Sequence, residues 1–268
     1  MIKCLMVGGG FQHQSQISVN EKPSKNFVWV RDESIADVQM FIDGAIHSNL
    51  GKDKTNKFAW VFESQAIFSI DYILNNIDEF SNSFELILTH NEKLLSYGKN
   101  FVYVPGNSFW IKNPEIHNKT KLVSMITSSK NWTRGHQVRF NTLEKLPSFV
   151  DVFGFTIKPI DKKDEGLNDY MFSIVIENDK YNTYFTEKLL DCFATGTIPI
   201  YWGCNDISSH FDSNGIIELT DDFDFSTLTP ELYYSKMESI KNNFEKIKEL
   251  EILEDWVYDK YFKIYDKN

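Results

Sequence analysis

Cysteine is scarce in this 268-residue chain, and Cys4, Cys192 and Cys204 are odd in number and far apart. That excludes a disulfide framework, and none of the three forms a CxxC pair. The six histidines lack ligand spacing, so no structural metal site is expected. No apolar run approaches the roughly 20 residues of a membrane span, and MIKCLMVGGG is too short for a secretory signal. The expectation is a soluble, cytoplasmic protein with no transmembrane segment. Positive charge is also in short supply, with 28 Lys and Arg against 38 Asp and Glu, a net charge of -10. Long-range electrostatics therefore oppose nucleic acid or anionic lipid as partners. No repeat or low-complexity tract is present. What is abundant is apolar material, 42% of residues, enough for a sizeable core. Aromatics make up 15%; their commonest use is core packing, although their faces also suit sugar rings.

Short apolar runs alternate with helical patterns almost from end to end. Strands are predicted at Ile2–Val7, Phe27–Val30, Phe58–Phe62, Phe84–Thr89 and Phe101–Val104, with helices at Ser34–Phe41 and Ala66–Ile77. Such alternation implies βαβ units around a parallel sheet. From Pro105 to Thr120 the pattern lapses into proline, glycine and asparagine, the chemistry of a linker. A second alternation follows: a strand from Lys121, a helix over Arg134–Leu146, strands at Phe149–Phe153 and Met171–Glu177, a helix from Glu187, and a strand at Ile198–Trp202. Pro230–Tyr265 reads as helices with a charged, solvated face. The expected organisation is α/β, with two Rossmann-like domains, 1–115 and 116–268, whose parallel sheets face a cleft where ligands would bind.

The most informative stretch is YMFSIVIENDKYNTYFTEKLLDCFATGTIPIYWG, residues 170–203. Its first part is a continuous apolar run, as a central parallel strand should be. It stops at Glu177-Asn178. Thr186 is placed to cap a helix opened by Glu187 and Lys188, Leu189, Leu190, Phe193 and Ala194 give that helix a buried stripe, and Gly196 ends it. A helix start carries unpaired N–H groups and partial positive charge, which favours phosphate. Lys188 opposes that dipole, a placement a diphosphate site would tolerate. Tyr184 could donate to the same anion, and Glu187 could accept from ribose hydroxyls. A capping Glu beside an incidental surface Lys is the plainer alternative.

These residues resemble the donor-binding signature of the α-1,3/1,4-fucosyltransferase family, glycosyltransferase family 10. The match is carried by Glu177-Asn178, Tyr184-Phe-Thr186-Glu187-Lys188 and Ile198-Pro-Ile-Tyr-Trp-Gly203, in fixed order. Gly135-His-Gln-Val-Arg139 with Val150-Asp-Val-Phe-Gly154 is similar to the family's basic helix and following strand, and Trp60-Val-Phe-Glu63-Ser64 to its Glu-Ser-Pro segment. Gln65 departs from the Pro usual there, and Phe155 from the usual Arg.

The resemblance implies a GT-B-like fold, with an N-terminal acceptor-side domain and a C-terminal donor domain. It implies inverting transfer of L-fucose from GDP-fucose to a hydroxyl of a glycan acceptor. Glu63 would be the catalytic base, although a Glu after an apolar strand can also merely begin a loop. Arg139, or alternatively Arg134, would reach the donor diphosphate together with Lys188 and Tyr184. Glu187 would hold ribose, and Asn178 would shape the sugar pocket. No metal or other cofactor is expected to be required; Asp222-Phe-Asp224 has the spacing of a metal motif but lies in an acidic, helix-prone stretch.

Three other readings are open at this point. Gly8-Gly9-Gly10 follows the first strand but lacks the third glycine and the helix of a dinucleotide fingerprint, which disfavours an oxidoreductase. A transferase of the same fold using another nucleotide sugar shares every feature of the donor segment, whereas Glu187, Lys188 and Arg139 argue against a non-catalytic nucleotide- or glycan-binding protein, because decayed sites lose such charges first.

Overall fold

The structure is a computed structural model describing residues 1–8, 22–98, 100–154 and 157–266. The chain divides into two compact units. Met1–Ser108 with Ile252–Asn268 forms the first, and Phe109–Glu251 the second. Among the described residues no helix is long and apolar enough to cross a membrane.

The first unit is built on six parallel strands: β1 (Ile2–Val7), β2 (Phe27–Val30), β3 (Val38–Ile42), β4 (Lys57–Val61), β5 (Ile87–Thr89) and β6 (Phe101–Tyr103). Their order across the sheet is β2-β1-β3-β4-β5-β6. Alternate side chains fill two cores, as a period of two requires. Met40, Ile42, Phe58 and Trp60 face one core; Phe41, Ala59 and Val61 face the other, under helices α1 (Asp71–Asn75) and α2 (Ile77–Ser83). A one-turn α3 (Glu92–Leu95) follows β5.

Two expectations fail here. Ser34–Phe41 is not a helix: a short turn at Glu33–Ile35 leads into β3. A strand covered on both faces is apolar throughout, and over eight residues that pattern cannot be told from helical spacing. The predicted Ala66–Ile77 helix likewise begins only at Asp71 and breaks before Ile77.

The domain boundaries also differ from 1–115 and 116–268. Phe109 and Ile111 are fully buried within the second unit. Glu115 and His117 donate backbone bonds to Ala194 and Thr195 of the same unit. Residues 252–268 return to the first unit, where Leu253, Val257, Tyr258 and Phe262 pack against Ile2, Phe27 and Phe58. Those apolar side chains, together with Asp255 accepting from Ser24, Lys25 and Asn26, fix the segment there.

The second unit has five parallel strands: β7 (Lys121–Ile126), β8 (Val150–Phe153), β9 (Tyr170–Ile176), β10 (Ile198–Trp202) and β11 (Ile217–Glu218). Helices α4 (Arg134–Leu143), α5 (Glu187–Thr195), α6 (Pro230–Ser235) and α7 (Met237–Ile247) accompany them. The order is β11-β10-β9-β7-β8. The chain thus runs outward from β7 to β8, then crosses back to β9 on the other side of β7. That reversal makes a topological switch point between β7 and β9, the place where open α/β sheets bind ligands. Asp222-Phe-Asp224 is not helical; Asp224 caps a short turn at Phe225–Thr227. Gly8 ends β1, while Gly9, Gly10 and Phe155 lie outside the described residues.

Candidate active site

Every residue of β9 is buried, and the first polar side chain beyond it is Glu177, fully enclosed. Its carboxylate accepts the Thr186 N–H at 2.8 Å and contacts Thr186 Oγ1 at 2.8 and 2.9 Å. Thr186 in turn caps α5 by accepting the Lys188 N–H, and Gly196 ends the helix at φ +71, in the left-handed region that glycine tolerates. Lys188 Nζ lies 3.0 Å from Thr186 Oγ1, 3.3 Å from Glu177 Oε2 and 3.5 Å from Glu187 Oε1. A lysine in a first turn opposes the helix dipole. Here two carboxylates compensate it: burial lowers the Lys188 pKa, but Glu177 and Glu187 more than reverse that, and the net direction is upward. Burial alone would raise the Glu187 pKa, yet Lys188 and Lys163 outweigh it and hold the carboxylate at about 2.

Helix α4 meets the same strand end. Thr133 caps it in a reciprocal pair with His136, and the Gly135 N–H donates to Asn178 O at 2.9 Å. A Cβ at Gly135 would sit 1.8 Å from Glu177 O, so only glycine allows this approach. One turn on, Arg139 is buried and donates Nε and Nη2 to Ile176 O at 3.2 and 2.7 Å. Its Nη2 is 3.5 Å from Asn178 Oδ1. The alternative, Arg134, is largely exposed, paired with Asp179 at 3.7 Å and lying over the Trp202 ring.

These elements enclose a cavity of about 180 Å³ at the switch point. Ile126, Thr127 and Ser128 from the end of β7 line it, with Ile176, Arg139, Glu187 and Lys188. Of the residues singled out from sequence, Arg139, Glu187 and Lys188 therefore share one wall. Asn178 stands beside Arg139 without lining the cavity. Tyr184 is 3% exposed and packs edge-on to Tyr181; it does not line the cavity itself but is close enough to Arg139 to act on its charge.

Lys163 and Asp191 do line the cavity and were not anticipated. Nor was the part played by Glu177 beneath it. The three cations (Arg139, Lys163, Lys188) are balanced by three carboxylates (Glu177, Glu187, Asp191). The cavity is a set of matched charges and not the basic pocket that a phosphate site suggests.

In the first unit, Glu63 follows β4 by two residues. Its N–H and that of Phe62 donate to Asp43 Oδ1 at 3.2 and 2.8 Å, and His90 Nε2 is 3.3 Å from Glu63 O. Asp43 adopts φ +45 at the end of β3. Burial, with the Glu63 charge adding to it, raises the Asp43 pKa to about 6. This second carboxylate is not legible in the sequence, because Asp43 accepts from backbone N–H groups 19 and 20 residues further on. Elsewhere, Cys204, Asp206 and His210 gather within 4.8 Å, a grouping that their linear spacing did not suggest. Asp206 Oδ1 there accepts the Cys204 thiol at 2.9 Å and the Thr183 N–H at 2.7 Å, tying together two loops.

The sequence model of glycosyltransferase family 10 (fucosyltransferase), C-terminal part, matches residues 116–262, more than half of the chain. The chain belongs to glycosyltransferase family 10. The match takes in Arg139, Asn178, Tyr184, Glu187 and Lys188, and leaves Glu63 outside. The Helicobacter pylori α-(1,3)-fucosyltransferase FucT is 31% identical over 114 residues, 42% of this chain and 21% of that protein. The similarity thus spans about a fifth of that relative. Among solved structures, an α1,3-fucosyltransferase superposes with a TM-score of 0.56 at 15% identity, over 100% of this chain and 90% of its own. The form crystallised with GDP-fucose gives 0.54 at 14% identity over the same shares. TarM gives 0.54 at 14%, over 88% of this chain and 57% of its own. These likenesses establish the GT-B-like architecture of two Rossmann-like units for this family 10 member.

Proposed function

We propose that this protein is an inverting glycosyltransferase moving L-fucose from GDP-fucose to a hydroxyl of a glycan acceptor. The observation that carries the reading is the cavity at the β7–β9 switch point, where Arg139 and Lys188 meet the start of α5. Departure of a nucleoside diphosphate leaves growing negative charge on its terminal phosphate. Arg139, Lys188 and the helix N-terminus are fixed positive groups that attract that charge, although Glu177 and Glu187 offset part of the Lys188 charge, and this attraction lowers the barrier. Glu187, held ionised, accepts from ribose hydroxyls, and Asn178 beside Arg139 borders the sugar. Glu63 removes the proton of the attacking hydroxyl; Asp43 supports this by fixing the backbone that carries it. The protein groups suffice for the leaving group, and no metal is assigned to the reaction.

Two measurements test this. A thermal-shift series should rank GDP-fucose above UDP and CDP sugars, because a ligand at about 100 times its Kd stabilises by roughly 2.7 kcal/mol. In a transfer assay, Lys188→Ala should lower turnover on the order of 10² to 10³-fold, and Glu63→Gln should abolish transfer while sparing nucleotide binding. Near-normal turnover in the lysine variant would remove Lys188 from the mechanism, and stabilisation by a different nucleotide sugar would replace the donor.

A further inference from the structure

Lys163 opens a short turn before β9, in a stretch whose sequence pattern gives no hint of function. Its Nζ is 2.6 Å from Asp191 Oδ2 and 3.5 Å from Glu187 Oε1, and it lies 4.2 Å from the centroid of the Trp110 ring. Lys188 Nζ stands 3.5 Å from the same Oε1 of Glu187. Two ammonium groups, from segments 25 residues apart, therefore converge on one carboxylate oxygen.

Glu187 and Asp191 are four residues apart on α5, hence neighbours on one face of the helix. Two carboxylates at that spacing repel each other, and Asp191 is only 1% exposed. Lys163 is the cation between them, and the Trp110 backbone N–H, also donating to Asp191, holds the second carboxylate from the other side. Stability alone does not account for the arrangement: apolar residues of similar size fill such a space at no greater cost than a buried ion cluster. Acidic groups in a cavity wall that also presents Arg139 and Lys188 have a use if the ligand brings hydrogen-bond donors as well as phosphates.

We propose that Lys163 is a positioning residue for the nucleoside half of the donor. By clamping Glu187 against Lys188 and neutralising Asp191, it divides the cavity. Arg139 and Lys188 form a phosphate end, and Glu187, held over the pair that Lys163 makes with buried Asp191, forms an end that accepts from the ribose hydroxyls. The assignment rests on the nucleotide-sugar reading above and deepens it.

Calorimetry with two probes, GDP and inorganic pyrophosphate, separates these roles. Lys163→Met should weaken GDP about tenfold, the scale of one charge-assisted contact, and leave pyrophosphate within about threefold. Lys188→Ala should weaken both, and Lys163→Arg should restore most of the GDP affinity. The ratio of the two affinities is the decisive readout, because a generally loosened site loses both ligands together. If Lys163→Met does not fold, Lys163→Gln keeps an amide donor toward Asp191 without the charge, and the same ratio is read from it. Unchanged GDP affinity, or an equal loss of pyrophosphate, overturns the positioning role. Wild-type protein that binds pyrophosphate but no nucleoside diphosphate overturns the donor reading, and this assignment with it.

Discussion

Gly135 shows how little room the site leaves. Any side chain there would meet Glu177 O at 1.8 Å, and the neighbour is backbone that cannot swing aside. Gly135→Ala should therefore push α4 off the end of β9, cost about 3 kcal/mol or more, and lower the urea midpoint accordingly. Because Arg139 rides on the same helix, nucleotide affinity should fall with it. The residues legible from sequence were those whose role is local. Thr186, Glu187 and Gly196 follow capping rules within one helix, and Lys188 drew notice by breaking one. Lys163, Asp191 and Asp43 were not legible, since each acquires its role from a partner many positions away that only the fold supplies. Tyr184 stands between these cases: its place before the helix start is legible, whereas its burial and its nearness to Arg139 come from the fold.

At the scale of elements, β9 and β10 were readable because central parallel strands are apolar runs bounded by polar turns. β3 was not, since a doubly covered strand this short carries no distinguishing period. Helix α4 offers a pH test. Its cap requires neutral His136, whose Nδ1 accepts the Thr133 N–H at 3.1 Å. Burial first, then the charges of Arg139, Lys130 and Lys188, lower its pKa from 6.5 to about 4. Between pH 6.5 and 4 the unfolded chain binds a proton that the folded chain refuses, so stability is lost as pH falls through that window. His90, lowered to about 4 by burial, acts in the same direction. His136→Gln keeps a side-chain acceptor at the third position of the capping box. Asp43, raised to about 6, acts in the opposite direction over part of the window, and His136→Gln should reduce the loss of stability on acidification while retaining the helix, as measured by urea midpoints across the window.

For the whole molecule, the division of the chain is what sequence reasoning missed most. Most of the linker-like stretch after Pro105 packs into the second unit from Phe109 on, and nothing in the Glu/Lys alternation of the last 40 residues shows that Leu253, Val257 and Phe262 belong with Ile2 and Phe58. The observed division predicts that a fragment spanning 109–251 folds alone and binds GDP, as judged by dispersed amide resonances and calorimetry. A chain ending at residue 251 should keep that binding while its first unit loses cooperative melting, because Leu253, Val257, Tyr258 and Phe262 are then missing from one of its cores. Failure of the 109–251 fragment to fold would mean that the second unit depends on the first.

The return of residues 252–266 to the opening sheet also sets an order of events on the ribosome. Strands β1 to β6 emerge first, yet one face of them stays bare while the entire second unit is made and can already be folding. The half translated earliest is thus completed last, and for that interval a nascent chain shows Ile2, Phe27 and Phe58 to whatever chaperones attend it.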